Sequence, residues 1–520
     1  MAEKRPALVF IGFMGAGKST ALRAARDAGL ETTEIDPLME REFGMPIADA
    51  FREFGEEEFR RREAEIVGGL LEEADGGAIG LGGGSVLSER VREALGRHIV
   101  VWLQIDAVEA WRRIEGTGRP LATSLADVEQ LLAERLPIYE GLAEAVIPPV
   151  GRASMPDVVG AARRLLVMPA GTRMLWAASA SGEYPAYVGA GILETSRGLA
   201  EDWPAPGRRF CVTDENVAPL YAEKLEPLEA RVSVQPGEGA KTLGEAERVM
   251  RELAQGGMTR HDHVVALGGG VVGDLAGFCA ASYGRGVAVV HVPTTLLAQV
   301  DSAYGGKTGV DLPEGKNLVG AYHQPAAVFA DTATLTTLPA EEAAAGYVEV
   351  LKTALLAGGG LWKGVREMGP EVLRDPVVLT EVVFACARHK CAVVAADERD
   401  SGLRETLNLG HTVGHGIEAA TGYARYRHGE AVGLGLLAAL RLSDADGLRS
   451  EVGEVLERFG LPVALDGSVD VDAVLEAVGR DKKKTAEGVG FVLLAAPGKA
   501  QTGQVVDPVR VREAVEELRR

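Results

Sequence analysis

From Ala7 to about Val167, short apolar runs (ALVFIGF, GAIGLGG, HIVVWLQI) alternate with longer stretches of helical period. That alternation predicts an α/β fold with parallel strands, and one domain fits the length. Around Met168 to Arg173 the periodicity fades, and a strand-like segment from Tyr184 to Gly189 opens the second half. Between 183 and 337 strands (RFCVTD, HVVALGGG, VAVVHVP) again alternate with helices, whereas from Pro339 onward helical periodicity dominates. The organisation read this way is a first α/β domain over 1–168, a linker over 169–182, an α/β subdomain over 183–337 and a mostly α subdomain over 338–520.

Length agrees, because 520 residues exceed what one hydrophobic core ordinarily organises. The formal net charge of −20 argues against nucleic acid or an anionic membrane as partner, so any anion site must be a local basic pocket. No run of 18 apolar residues offers a membrane span. Cys211, Cys279, Cys386 and Cys391 form no C-x-x-C pair, which suits a reducing compartment. The amino-terminal apolar run enters a glycine-rich loop rather than a small-residue cleavage site, so a cytoplasmic protein is the expectation.

Gly12 to Thr20 (GFMGAGKST) fits G-x-x-x-x-G-K-[ST], directly after an apolar strand and before a helix-like stretch. In that context the backbone amides of Gly15, Ala16, Gly17, Lys18, Ser19 and Thr20 offer partial positive charge to phosphate oxygens. Lys18 can reach the transferring phosphoryl group and Ser19 can ligate Mg²⁺, so a nucleoside triphosphate is implied, though not its acceptor.

Further motifs follow in order: Glu34-Ile-Asp36, Gly55 to Glu63 (GEEEFRRRE), Gly82-Gly83-Gly84, Gly118-Arg119-Pro-Leu and Glu134-Arg135-Leu-Pro-Ile-Tyr139. With them nearly the whole first domain resembles shikimate kinases. The resemblance implies a shikimate site at Asp36, Arg60, Gly83, Gly84 and Arg135, with Arg119 a catalytic lid residue near the phosphates and Mg²⁺ accompanying ATP. The chemistry is apt, since guanidinium forks suit a carboxylate and a carboxylate such as Asp36 accepts from hydroxyls. The chain has Glu34 where that family has Asp, one methylene longer at the acid that orients Mg²⁺.

In the second half, Val264 to Asp274 (VVALGGGVVGD) is a strand running into glycines and a helix, an arrangement that lets amides approach a pyrophosphate. An ordinary tight turn reads equally well from this segment alone, because the spacing is not G-x-G-x-x-G. His411 and His415 stand four apart on one predicted helical face, and His428 follows. Imidazoles suit Zn²⁺, and spacing alone assigns both His411 and His415 to it.

The ordered blocks Thr213–Asn216, Pro236–Lys241, Leu267–Asp274, Ser282–Arg285, Pro293–Thr295, Gln299–Asp301, Gly305–Lys307, Gly315–Asn317, Val348–Lys352 and Leu403–Asn408 make the second half resemble 3-dehydroquinate synthase over essentially its full length. That resemblance implies Glu349, His411 and His428 as ligands of Zn (or Co), with His415 facing the substrate. It implies NAD on Asp214, Asn216, Glu238, Lys241, Gly269, Gly270, Val271, Asp274, Thr294, Thr295 and Thr337, with Lys316 between the two ligand sites. It places Asp301, Lys307, Asn317, Lys352, Lys390, Arg404, Asn408, His415 and the pair Lys482 and Lys483 at the substrate, with Arg285 reaching across a homodimer interface. Asp400 stands where the resemblance has Glu. The implied activities are phosphorylation of shikimate by ATP and cyclisation of 3-deoxy-D-arabino-heptulosonate 7-phosphate to 3-dehydroquinate with release of phosphate. Two other readings remain open at this point: a nucleotide-binding regulatory first domain, motivated by Glu34, and a related sugar-phosphate cyclase.

Overall fold

The computed structural model describes residues 4–116, 121–149, 154–195, 202–479, 484–485 and 488–519. Arg119, Lys482 and Lys483 therefore lie outside the described residues. The chain divides into two compact units, Met1–Ala178 and Ser179–Arg520.

The first unit is built on parallel strands β1 (Leu8–Ile11), β2 (Thr32–Glu34), β3 (Ala78–Gly80), β4 (Ile99–Leu103), β5 (Ala145–Ile147) and β6 (Arg173–Ala178), in the spatial order β2-β3-β1-β4-β5-β6. β1 is buried at every position, as a strand covered on both faces must be. β1 lies between β3 and β4, with β2 beyond β3, so the order reverses at β1 and a crevice opens beyond its carboxyl end, where helix α1 (Lys18–Asp27) begins. The stretch 169–182, read from the sequence as linker, contains β6, which pairs with β5. The run RMLWAA is short and flanked by Gly171 and Ser179, so its strand character comes from pairing rather than from any alternation visible in sequence.

The second unit begins with another parallel sheet. Its strands are β7 (Glu183–Gly189), β8 (Arg209–Asp214), β9 (Ala230–Val234), β10 (His263–Gly268), β11 (Ala288–Pro293) and, after an antiparallel hairpin β12 (Lys307–Leu312) and β13 (Gly315–Tyr322), β14 (Ala327–Asp331). The order is β7-β14-β11-β10-β8-β9. Helix α2 (Gly270–Ser282) packs Val272, Leu275, Ala276 and Cys279 into the core formed by Val212, Val264 and Ala266. The rest is mostly helical, including α3 (Ala340–Ala357), α4 (Pro376–Ala396), α5 (His411–Ala420) and α6 (His428–Leu442). It also holds strands the periodicity did not predict, among them the antiparallel pair β16 (Gly488–Leu494) and β17 (Ala500–Val505), with β15 (Lys484–Thr485) ahead of them. No described helix is long and apolar enough to cross a membrane.

Candidate active sites

In the first unit, the loop after β1 turns with positive φ at Gly12, Gly15 and Gly17 and delivers the amino terminus of α1. Lys18 folds over this loop and donates to the carbonyls of Gly12 (2.8 Å) and Phe13 (2.9 Å). Ser19 donates through its hydroxyl to the Glu34 carboxylate at the end of β2. The longer Glu34 therefore keeps an acid at the expected Mg²⁺ ligand.

A second loop, Gly82–Gly84, follows β3 and closes on the first. A Cβ on Gly83 would stand 3.4 Å from the Gly12 carbonyl oxygen and 3.7 Å from Arg135 Nη1. Arg135 is buried, donates to the Gly83 carbonyl at 3.2 Å and lies over Phe13; Tyr139, one turn on, donates to the same carbonyl. Arg60 is held by Glu63 (2.5 Å), which also accepts from Ser85 (2.8 Å). A Cβ on Gly84 would come within 2.5 Å of Arg60 Cζ. Arg60 and Arg135 thus meet at the glycine loop beside Lys18, and Asp36 stands two residues after Glu34, in the first turn of the next helix. Glu63, Ser85 and Tyr139 were not assigned from sequence. Glu63 had a signal, its i, i+3 spacing from Arg60.

In the second unit, a cleft of 1580 Å³ runs along the carboxyl ends of β8, β10 and β11 and continues to α5. Its lining includes Asp214, Asn216, Glu238, Lys241, Gly269, Gly270, Val271, Asp274, Thr294, Thr295 and Thr337 at one end. Here the amino terminus of α2 faces the cleft with bare glycines, and a Cβ on Gly269 would press to 2.9 Å from Thr295 Cγ2. Lys241 is buried and pairs with Asp274 at 2.7 Å; burial pushes the Asp274 carboxyl up, against the pull of that lysine. Such a cradle of amides and small residues fits a dinucleotide.

At the other end, Glu349 on α3, His411 on α5 and His428 on α6 converge, their ligand atoms all within 4.8 Å of one another. Glu349 Oε1 lies 3.7 Å from His411 Nε2 and 3.6 Å from His428 Nε2. Both Glu349 oxygens are buried without a hydrogen bond of proper geometry, although Lys352 makes an ion pair with Oε2. Buried acceptors of this kind beside two imidazoles fit a divalent cation. His411 Nδ1 is 3.1 Å from the Leu409 carbonyl, and His428 Nδ1 is 3.3 Å from Glu418 Oε2, which leaves both Nε2 atoms for a metal. Burial, with Lys352, His415 and His428 nearby, holds His411 well below the usual imidazole value, in its neutral, ligating form. Burial also lowers His428, but Glu349 and Glu418 outweigh it and raise the group to about 9. His415, the second histidine favoured by spacing, is exposed and forms an alternative group with Glu418 and His428.

Between the two ends stand paired cations. Asp301, on the wider π-helical turn Ala298–Ser302, receives Lys390 and, at 3.1 Å, Lys352. Burial lowers both lysines. Asp301 and Glu349 more than reverse this at Lys352, whereas Lys390 has Asp301 alone, is repelled by Arg404 and Lys352, and stays below the usual lysine value. Lys307 pairs with Asp400, and Lys316 reaches Glu418 at 3.3 Å. Asn317 and Asp400 both adopt positive φ, which short polar side chains tolerate better than Glu does. That gives a physical reason for Asp at position 400. Asn408, His411 and His415 line the cleft as well.

Three expected substrate residues lie outside the cleft lining, and the first is Lys352, buried and paired with Asp301 and Glu349. Arg404 is buried and donates to the carbonyls of Glu398 (2.6 Å) and Gly305 (3.0 Å), away from the cleft lining; a desolvated guanidinium needs those acceptors. Arg285 is exposed and also outside the lining. Glu418 was missed, although it lies seven residues after His411 on the same helical face.

The family models for the 3-dehydroquinate synthase N-terminal and C-terminal regions match residues 231–345 and 346–484, and that for shikimate kinase matches 14–158. A 3-dehydroquinate synthase from Symbiobacterium thermophilum is 45% identical over 352 residues, covering 65% of this chain and 98% of the relative. The chain belongs to the 3-dehydroquinate synthase family, and a shikimate kinase domain precedes that portion. The homologous synthase from Halorhodospira halophila is 44% identical over 339 residues, 63% of this chain and 94% of the relative. Among solved structures, a 2-epi-5-epi-valiolone synthase from Streptomyces hygroscopicus with NAD⁺ and Zn²⁺ bound matches with a TM-score of 0.60 at 27% identity, over 66% of this chain and 99% of that one. A 2-deoxy-scyllo-inosose synthase complexed with carbaglucose-6-phosphate, NAD⁺ and Co²⁺ matches with a TM-score of 0.59, also at 27% identity, over 66% and 99%.

Proposed function

We propose that this chain is a bifunctional enzyme of the shikimate pathway, whose first unit phosphorylates shikimate with ATP and whose second converts 3-deoxy-D-arabino-heptulosonate 7-phosphate to 3-dehydroquinate and phosphate. The convergence of Glu349, His411 and His428 beside a glycine-lined cleft, in a chain 45% identical to a 3-dehydroquinate synthase, carries the cyclase half. The P-loop packed against Arg60 and Arg135 carries the kinase half.

In the kinase, the amides of Gly15 to Thr20 hold the triphosphate, and Lys18 exchanges its two carbonyl partners for phosphate oxygens. Ser19 and Glu34, joined by a hydrogen bond, would hold Mg²⁺. Arg60 and Arg135 take the shikimate carboxylate in fork geometry, and Asp36 accepts from its hydroxyls. Arg119 serves the phosphates from the lid.

In the cyclase, NAD⁺ supplies a reversible hydride acceptor, and a Zn²⁺ or Co²⁺ ion on Glu349, His411 and His428 supplies Lewis acidity at the substrate hydroxyls. Lys307, Asn317, Lys390 and Asn408 hold the substrate's carboxylate, hydroxyls and phosphate. Lys352 stays ionised and fixes Asp301 and Glu349, and Arg404 supports the Gly305 turn that carries Lys307. His415, exposed at the cleft, faces the substrate. Arg285, outside its own cleft, is available to a second copy, which fits a homodimer. The four free, buried cysteines fit a cytoplasmic location.

Purified full-length protein is assayed for shikimate-dependent ADP formation and for phosphate release from the heptulosonate phosphate. Lys18→Ala should abolish the first and spare the second, and His411→Ala should do the reverse. Loss of both activities in either folded variant would contradict two separate sites.

A further inference from the structure

Resting on the cyclase reading above, the structure assigns to Glu418 a role beyond ligand support: it joins the metal pocket to the dinucleotide pocket, so that the two ligands bind with positive coupling. Glu418 is buried on α5, and its two oxygens serve different sites. Oε2 faces His428 Nδ1 at 3.3 Å, and His428 turns its Nε2 toward Glu349 at 3.6 Å. Oε1 faces Lys316 Nζ, also at 3.3 Å. Lys316 sits on the β12–β13 hairpin, over the Tyr423 ring, and its Nζ is 3.8 Å from Glu238 Oε1 at the dinucleotide end of the cleft. A continuous line of charged contacts therefore runs from Glu238 through Lys316 and Glu418 to His428.

The direction of the coupling follows from polarisation. A cation on His428 Nε2 withdraws electron density from the ring, making Nδ1–H a stronger donor and drawing the Glu418 charge toward His428. Lys316 is then held less firmly at Oε1 and turns more readily to Glu238 and to an anionic ligand in the cleft. Thermodynamic linkage requires the converse, that a dinucleotide engaging Lys316 tightens the metal. Glu418 is thus a positioning residue that acts through His428 and Lys316.

The test uses the full chain stripped of metal by chelator, with NAD⁺ and Co²⁺ as probes. The Kd of NAD⁺ is measured by calorimetry with and without Co²⁺, and the Kd of Co²⁺ by its visible absorption with and without NAD⁺. In the wild type each ligand should tighten the other by about fivefold or more. In Glu418→Gln both ligands should still bind, Co²⁺ about 10- to 100-fold more weakly, and the ratio should fall to about one. Lys316→Met should also bring the ratio to about one, with Co²⁺ bound in the absence of NAD⁺ about as tightly as by NAD⁺-saturated wild type. A wild-type ratio of one, or an unaltered ratio in the folded variants, overturns the inference while leaving the site intact. Wild-type protein that binds neither probe overturns the site reading along with it.

Discussion

Gly84→Ala should damage shikimate recognition without unfolding the kinase. Gly84 has φ −103° and ψ −9°, an ordinary conformation for alanine, so the backbone tolerates the change. The new Cβ would stand within 2.5 Å of Arg60 Cζ, well inside van der Waals contact. What it meets is the far end of a flexible side chain, so the strain is relieved by moving the guanidinium rather than the loop. Moving it costs Arg60 its alignment with Glu63 and, in the proposed complex, a charge-assisted hydrogen bond to the shikimate carboxylate. Such a bond contributes about 1.5–3 kcal/mol, which predicts a KM for shikimate raised about 10- to 150-fold. The KM for ATP should stay within about twofold, because the P-loop contacts Gly83 rather than Gly84. Steady-state kinetics on both substrates, with cyclase turnover as an internal control for folding, gives the answer. A shikimate KM unchanged in the folded variant would refute the placement of Arg60 at the acceptor.

Exhaustive dialysis against a chelator should abolish phosphate release from the heptulosonate phosphate, and added Zn²⁺ or Co²⁺ should restore it. Kinase activity should return with Mg²⁺ alone, and parallel assays of the two reactions check this. Stability should also fall in mild acid. His291, buried beneath α2, is pushed down to about 4 by burial and by His323. The unfolded chain binds a proton there at about pH 6.5 while the folded one does not, so the stability this group contributes is complete above pH 6.5 and is lost as pH falls toward 4. Between pH 7 and pH 5 this amounts to about 2 kcal/mol, and buried His263 and half-buried His389, also held low, act in the same direction. His428, raised instead, acts in the opposite sense: its contribution is complete only below about pH 6.5 and declines as pH rises toward 9, so it offsets part of the loss between pH 7 and pH 5. Urea unfolding at the two pH values measures the difference, and equal stabilities would refute the burial argument.

The legible parts of this chain are those where local pattern and chemistry coincide. The P-loop is read whole because one strand, one loop and one helix carry all of it, and the strands β1, β4, β8, β10 and β11 announce themselves as apolar runs. Short strands whose identity depends on a neighbour are harder to see: β6 lies in what reads as linker, and β16 and β17 in what reads as helix. The metal cluster shows the same limit. Spacing sees His411 and His415 on one helix, but the structure also brings His411 together with Glu349 and His428, from two other helices, and no local period encodes a meeting of three elements. Arg404 marks a different limit: a guanidinium in a chain of acids suggests an anion site, and only the fold shows two carbonyl oxygens holding it in the buried interior.

The acidity of the chain and the basic character of its cleft are two sides of one arrangement. Each lysine there is matched to a carboxylate: Lys241 to Asp274, Lys307 to Asp400, Lys316 to Glu418, Lys352 to Asp301 and Glu349, and Lys390 to Asp301. Unmatched, five ammonium groups around one cleft would repel one another, and the buried ones would lose their protons. An ammonium carries three donors, so each lysine tethered by one or two acids still has capacity for an anionic ligand. The pairs also hold the lysines in place before a ligand arrives, which lowers the ordering cost of binding. A substrate bearing both carboxylate and phosphate then meets cations that are ionised, aimed and only partly satisfied, inside a protein whose net charge alone would turn it away.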